Sequence, residues 1–255
     1  ELLATAYTTA LLSGFLLLIV GNLFIVTIIQ GMNTPEEVAP QAETYLRYFS
    51  LGIPFMVLYD FLAAVFRAVG DTKRPLYVQI LAGLLNLALN LNFVIQWKMG
   101  VAGVAIATSI SQLFSAVVLV ALLAKEKYAL HLHPLRFRIY RSKLQKIVSI
   151  GLPAGIQGTL FSISNVLIQS AINTFGSQAM AAATISANLE GFVYISMNSV
   201  SQGQMSFVSQ NLGAKKYSRL NGILRSSLTL LFSIALLTGM VVFFFGRNLV
   251  GIFTK

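Results

Sequence analysis

An all-α, polytopic bundle of membrane-spanning helices is the fold this sequence predicts, and three observations predict it. Charged residues make up only 10% of the 255 and hydrophobic residues 56%; an ordinary soluble domain carries about 25% charge. Charge-free runs recur along the whole chain, at 2–35, 75–97, 99–124, 147–189, 191–214 and 226–246. A helix needs about 20 apolar residues to cross a bilayer, and each run supplies them. The runs are too long and too uniformly apolar for the alternating strands of a membrane barrel. Their recurrence also excludes a single signal peptide.

The same composition excludes other classes. So little charge rules out most soluble enzymes, a disordered tail and a nucleic-acid module, despite the net charge of +10. Cys is absent, which removes disulfide scaffolds and Cys-ligated zinc or iron–sulfur sites. Both His residues fall in one basic loop. No Ser/His/Asp arrangement, phosphate loop or metal-ligand spacing appears, so neither an enzyme nor a bound cofactor is expected. Glu1 opens almost inside an apolar run and Lys255 closes just after another. That is the pattern of a stretch from a longer polytopic protein.

Seven spans are predicted, at 7–30, 45–68, 76–97, 101–124, 148–174, 180–208 and 222–245. Turn chemistry separates them. Gly31-Met32-Asn33-Thr34-Pro35 ends the first, and Gly70-Asp71-Thr72-Lys73-Arg74-Pro75 divides the second from the third. Lys98-Met99-Gly100 is a tight hairpin, and Gly176-Ser177-Gln178 splits the long run.

Charge sets the orientation. Alternate loops on one side hold Arg67, Lys73 and Arg74, then Lys125, Lys127, Arg136, Arg138, Arg141, Lys143 and Lys146, then Lys215, Lys216, Arg219 and Arg225. The other side has Arg47, Lys98, Arg247 and Lys255, with Glu36, Glu37 and Glu43 nearby. The positive-inside rule makes the first side cytoplasmic, so loops 67–75, 125–146 and 209–221 are expected there. The basic balance is thus a topology signal. Segment 125–146, with both His residues and Pro134, reads as a linker between 1–124 (four helices) and 147–255 (three helices). A shift of 225 residues superposes Ala10-Leu11-Leu12-Ser13-Gly14 on Ala235-Leu236-Leu237-Thr238-Gly239. That would make the seventh span repeat the first, as two parallel six-helix halves require.

The cytoplasmic loops carry the most specific text. Arg67-Ala68-Val69-Gly70-Asp71-Thr72-Lys73-Arg74-Pro75 resembles the loop after the fourth helix of multidrug and toxic compound extrusion (MATE) transporters. Gln210-Asn211-Leu212-Gly213-Ala214-Lys215-Lys216-Tyr217-Ser218-Arg219 resembles the loop after their eighth helix. Gly151-Leu152-Pro153 is similar to the start of their seventh helix, and Gly103-Val104-Ala105-Ile106-Ala107-Thr108 to the start of their sixth. The resemblance implies that the seven spans are helices three to nine of a two-lobed (6+6), twelve-helix transporter. It implies a secondary active antiporter in the cell membrane that exports organic cations in exchange for H⁺ or Na⁺. The full-length protein is expected to act as a monomer, with small organic cations and the bilayer as its partners. A flippase for lipid-linked sugars is the alternative; it would need cationic residues lining its cavity, and the spans supply none away from their ends.

In the loops themselves, Asp71 can cap the helix opening at Pro75, with Arg67 and Lys73 neutralising it. Gly70 supplies the turn, and Gly213 is expected in the left-handed conformation that ends the sixth span. Away from the span ends, Asp60 and Glu190 are the only charged residues within the spans, and such residues are functional candidates. Asp60 follows Tyr59 and lies six residues after Pro54, which should kink the helix. A desolvated carboxylate can carry a proton. Gln79, Gly83, Asn86 and Asn90 share one face of the third span, with Gly83 admitting a neighbouring helix. The amides of Asn86 and Asn90 could join Asp60 and Thr108 around a proton-bearing water or Na⁺. The resemblance implies a cation site in the N-terminal lobe on a first-helix Asp, with Asn86, Asn90 and Thr108 at positions matching its polar partners. Archaeal-type members have an acid where Asn90 stands. Sodium-coupled members carry a Glu near the position of Phe161, so H⁺ is the expected coupling ion here. In the C-terminal lobe Gln157, Asn165, Gln169 and Asn173 line the fifth span. Glu190, Tyr194, Asn198 and Gln202 continue on the sixth. Glu190, with Phe192 and Tyr194 as aromatic partners, could hold a cationic substrate.

Overall fold

The structure, a computed structural model, describes residues 1–31, 39–126, 131–133, 137–173, 175 and 177–253; side chains at 173, 177–181 and 247–253 are outside the description. The described residues form helices and no strand: α1 (Leu2–Gly31), α2 (Ala39–Ser50), α3 (Ile53–Ala68), α4 (Lys73–Leu91), α5 (Gly100–Lys125), α6 (Arg141–Asn173), α7 (Ser177–Gly213) and α8 (Leu220–Phe253). The expected breaks at 32–35 and at Gly176, and the loop residues Lys127, Pro134 and Arg136, lie outside the described residues.

Five helices are long and apolar enough to cross a membrane, or six if α2 and α3 form one span bent by 46°. The sequence predicts seven. The difference is α7, which at 37 residues is the longest helix but is not among those five or six. Asn188, Glu190, Asn198, Gln202 and Gln204 dilute its apolar run.

The bend in the second span has a local cause. Pro54 has no N–H to continue the helix, so the chain turns at Leu51 and Gly52 and restarts with Pro in the first turn of α3. Carbonyls freed by the break find hydroxyls. Ser50 Oγ donates to the Arg47 carbonyl at 2.7 Å, and Ser109 Oγ of α5 donates to the Tyr48 carbonyl at 2.8 Å. Asn22 Nδ2 of α1 then donates to Ser50 Oγ at 2.6 Å. This is how a helix broken inside a bilayer satisfies its backbone.

By compactness the chain divides into two units, Glu1–Ile156 and Gln157–Lys255, with the division inside α6. In the first unit Tyr7, Ala10, Leu58, Leu62, Phe66, Val78, Leu119 and Leu123 form one buried cluster joining α1, α3, α4 and α5. Leu132 belongs to it with 2% exposure. The described part of the linker therefore packs as part of this unit. Arg138 N donates to Thr8 Oγ1 at 3.2 Å, Tyr140 N to Thr5 Oγ1 at 3.1 Å, and Phe137 stacks on Tyr7. Arg74 pairs with Glu126. These contacts put the start of α1, the α3–α4 turn and the linker at one end, as the charge pattern requires. In the second unit Ser227 is the one buried residue among those described. Its apolar side chains, among them Leu160, Phe232 and Phe243, face outward, a surface that needs lipid or further helices to cover it.

Two sequence expectations about the turns are corrected. Asp71 does accept the Arg74 N–H at 3.2 Å, but its ion-pair partner is Arg74 at 3.0 Å, not Arg67 or Lys73. The helix opens at Lys73, so Pro75 falls inside its first turn. Gly70 takes the left-handed turn at φ +89°. At the end of α7 the left-handed residue is Lys215, at φ +56°, while Gly213 closes the helix itself. Lys216 N donates to the Asn211 carbonyl at 2.8 Å and Lys215 N to the Leu212 carbonyl at 3.0 Å, the paired bonds of a Schellman end. A residue with a Cβ costs about 1 kcal/mol there. Lys215→Gly should therefore stabilise the protein by up to about 1 kcal/mol, read as a raised midpoint of thermal unfolding in detergent.

Candidate functional site

The first unit gathers polar groups between α4 and α5. Asn90 Nδ2 donates to Asn86 Oδ1 at 3.0 Å, and Asn86 Nδ2 donates to Thr108 Oγ1 at 3.3 Å. Thr108 Oγ1 in turn donates to the Val104 carbonyl at 2.9 Å. Asn86 and Asn90 are one turn apart, which stacks their side chains on the helix face turned toward Thr108. The chain has a loose end: Asn90 Oδ1 is buried with no hydrogen-bond partner among the described residues. An unpartnered carbonyl oxygen is a ready acceptor for a water, a protonated group or a hard cation.

The second-span candidates sit elsewhere. Tyr59 Oη donates to the Pro75 carbonyl at 3.0 Å, binding α3 to the first turn of α4. Asp60 makes no hydrogen bond or ion pair among the described residues, though Arg67 acts on it electrostatically. At 1.5 Å per residue, Asp60 lies about 12 Å from the Ala68 end of α3, while Asn86 lies about 20 Å from the matching end of α4. The amide–hydroxyl chain and Asp60 are thus at different depths. Among the described residues no helix comes close at Gly83, where a Cβ would meet nothing within 4 Å.

The second unit holds a cleft of about 590 Å³ between α6 and α7. Asn165, Gln169, Glu190 and Tyr194 line it, joined by Phe161 and Ser186. Helical spacing makes this possible. Phe161, Asn165 and Gln169 repeat every four residues along α6, and Ser186, Glu190 and Tyr194 do so along α7. Gln157, Asn198 and Gln202 do not line the cleft, and neither does Phe192. The Asn173 side chain lies outside the described residues. Sequence reasoning passed over Phe161 and Ser186 as lining groups, although the four-residue spacing from Asn165 and Glu190 pointed to both. Chemically the cleft combines one carboxylate, two amides, two hydroxyls and two aromatic rings, with no basic group among the described residues of its lining.

Long apolar helices with polar groups gathered between them define the class: a multi-pass protein of the cell membrane. The MatE family model matches residues 1–91 and 153–255, and the chain belongs to that family. It is 29% identical over 261 residues to the probable multidrug resistance protein YoeA of Bacillus subtilis (strain 168), covering 98% of this chain and 55% of that protein. It is 30% identical over 182 residues to the probable multidrug resistance protein YpnP of the same organism, covering 71% of this chain and 40% of YpnP. Among solved structures it resembles a multidrug resistance MATE family transporter of the MOP superfamily in an outward-facing conformation. There the TM-score is 0.87 at 20% identity, over 99% of this chain and 57% of that one. It also resembles the MATE multidrug transporter DinF-BH, with TM-score 0.85 at 22% identity, over 100% of this chain and 62% of that one. These likenesses show the fold. The chain spans about half the length of the curated relatives it matches.

Proposed function

We propose that this chain forms the central helices of a secondary active antiporter that exports organic cations in exchange for H⁺. The α6–α7 cleft is the observation that carries the reading. It is large enough for a small drug, and Glu190 is the one carboxylate among the described residues lining it, beside Phe161 and Tyr194. A carboxylate beside aromatic faces suits an organic cation. A lining without basic residues runs against the lipid-linked sugar flippase, whose pyrophosphate would need cations. The relatives named for multidrug resistance support drug export. Asp60 and the Asn86–Asn90–Thr108 chain are the candidates for holding the coupling ion. Ion binding can drive transport only by favouring one conformation over another.

The test is efflux of a fluorescent organic cation from proteoliposomes of the intact protein, under pH and Na⁺ gradients imposed separately. An inward H⁺ gradient should drive efflux and an Na⁺ gradient should not. Efflux driven by Na⁺ alone would replace the proton as coupling ion. Efflux insensitive to both would overturn antiport.

A further inference from the structure

We propose that residues 137–146 and the cavity beside them bind the headgroup of an anionic phospholipid in the cytoplasmic leaflet. The segment carries Arg138, Arg141, Lys143 and Lys146 and no acid. Arg138, Arg141 and Lys146 are exposed. Phe137 and Ile139, on either side of Arg138, are 59% and 45% exposed. Basic and apolar side chains alternating at the start of a span match the layer where phosphates meet acyl chains. A soluble anion would use the charges but gain nothing from Phe137 and Ile139.

The surface is built in advance. Main-chain groups of Arg138 and Tyr140 bond to Thr8 and Thr5 on the first turns of α1, and Phe137 stacks on Tyr7. Beside it lies a cavity of about 220 Å³, lined by Arg138, Tyr140, His131 and His133 with Leu3, Ala4 and Leu132 as its apolar floor. Glu1 also lines it and is its one carboxylate among the described residues. That acid disfavours a bare anion and suits a headgroup with hydroxyls to donate, such as phosphatidylglycerol. The guanidinium fork of Arg138 matches two phosphate oxygens. The position is right for a lipid, since the cavity is level with the first turn of α1, where the outward-facing apolar side chains begin with Leu2.

The experiment is native mass spectrometry of the intact protein in neutral detergent, titrated with phosphatidylglycerol or phosphatidylcholine. Phosphatidylglycerol should be retained and phosphatidylcholine should not. Each charge removed near a lipid surface costs about fivefold in affinity, so Arg138→Gln with Arg141→Gln should weaken retention about 25-fold. Lys215→Gln with Lys216→Gln removes the same charge from another cytoplasmic turn and should leave retention unchanged. Equal retention of both lipids overturns the proposal, as does an equal loss in the two double variants. If the arginine variant does not fold, Phe137→Ser with Ile139→Ser keeps every charge and must still lower retention several-fold. Unchanged retention there overturns the proposal as well.

Discussion

Glu190→Gln should cut efflux of organic cations by about five- to thirtyfold while leaving the protein folded. The substitution keeps the shape of the side chain and removes the one carboxylate among the described residues lining the α6–α7 cleft. An ion pair near 4 Å contributes about 1–4 kcal/mol between aqueous and protein-surface dielectrics. Glu190 lines a cleft that is open to solvent, so the lower part of that range applies. A loss of about 1–2 kcal/mol is the stated fold-change. Asn165, Gln169, Phe161 and Tyr194 remain, so residual binding should persist and should depend on the rings. Tyr194→Phe should therefore keep most of the remaining affinity and Tyr194→Ala should not. Uptake and efflux of the cation, measured in proteoliposomes over a range of concentrations, separate affinity from turnover. Glu190→Asp should restore part of the loss. Wild-type efflux in Glu190→Gln would remove the cleft from the transport path.

How much of this cleft and its surroundings is legible in the sequence depends on the range of each interaction. Helix periodicity is local, so the rows Asn165–Gln169 and Glu190–Tyr194 are legible from spacing alone. The break at Pro54 is legible too, because one missing N–H dictates it. Asn86 and Thr108 can be paired in advance only because both are short polar groups in neighbouring apolar helices, with few other partners available. Contacts across many residues leave no such mark. Nothing in Thr5 or Thr8 announces that they will hold the main chain at Tyr140 and Arg138, more than a hundred residues away. Segment 125–146 reads as a linker because it is the one long charged stretch, and its composition does not announce that Leu132 within it is buried. Composition measures the average and a single buried side chain fixes the packing. Gly83 is the reverse case, where a small residue in an apolar helix invites a close approach that none of the described residues makes. The end of α7 shows the limit of residue preference. Main-chain bonds fix the left-handed position at Lys215, although a glycine stands two residues before it.

Gly14 is where close approach does occur, and Gly14→Ala should be the most destabilising single-methyl addition in the first unit. A Cβ on Gly14 would stand 2.7 Å from Pro54 Cα and 3.2 Å from the Pro54 carbonyl oxygen. Both are backbone atoms, so no rotamer change can make room. Pro54 itself cannot retreat easily. It lies at the restart of a broken helix whose carbonyls are tied to Ser50 and Ser109, and Gly52 beside it already sits against Ser109, where a Cβ would meet Oγ at 2.9 Å. The α1–α3 contact is therefore clamped from both sides. Overpacking of this kind costs about 1–3 kcal/mol, against a helix-propensity gain for alanine of about 1 kcal/mol or less. The clash wins because it falls on backbone. Thermal unfolding in detergent should show a lowered midpoint for Gly14→Ala and a lower one still for Gly14→Val, whose branched side chain is larger and stiffer. A further consequence separates packing from composition. Gly21 lies on the same helix, and among the described residues nothing comes within 4 Å of its Cβ position. Gly21→Ala should therefore not lower the midpoint, and equal losses at Gly14 and Gly21 would mean that α1 does not pack on Pro54 as described.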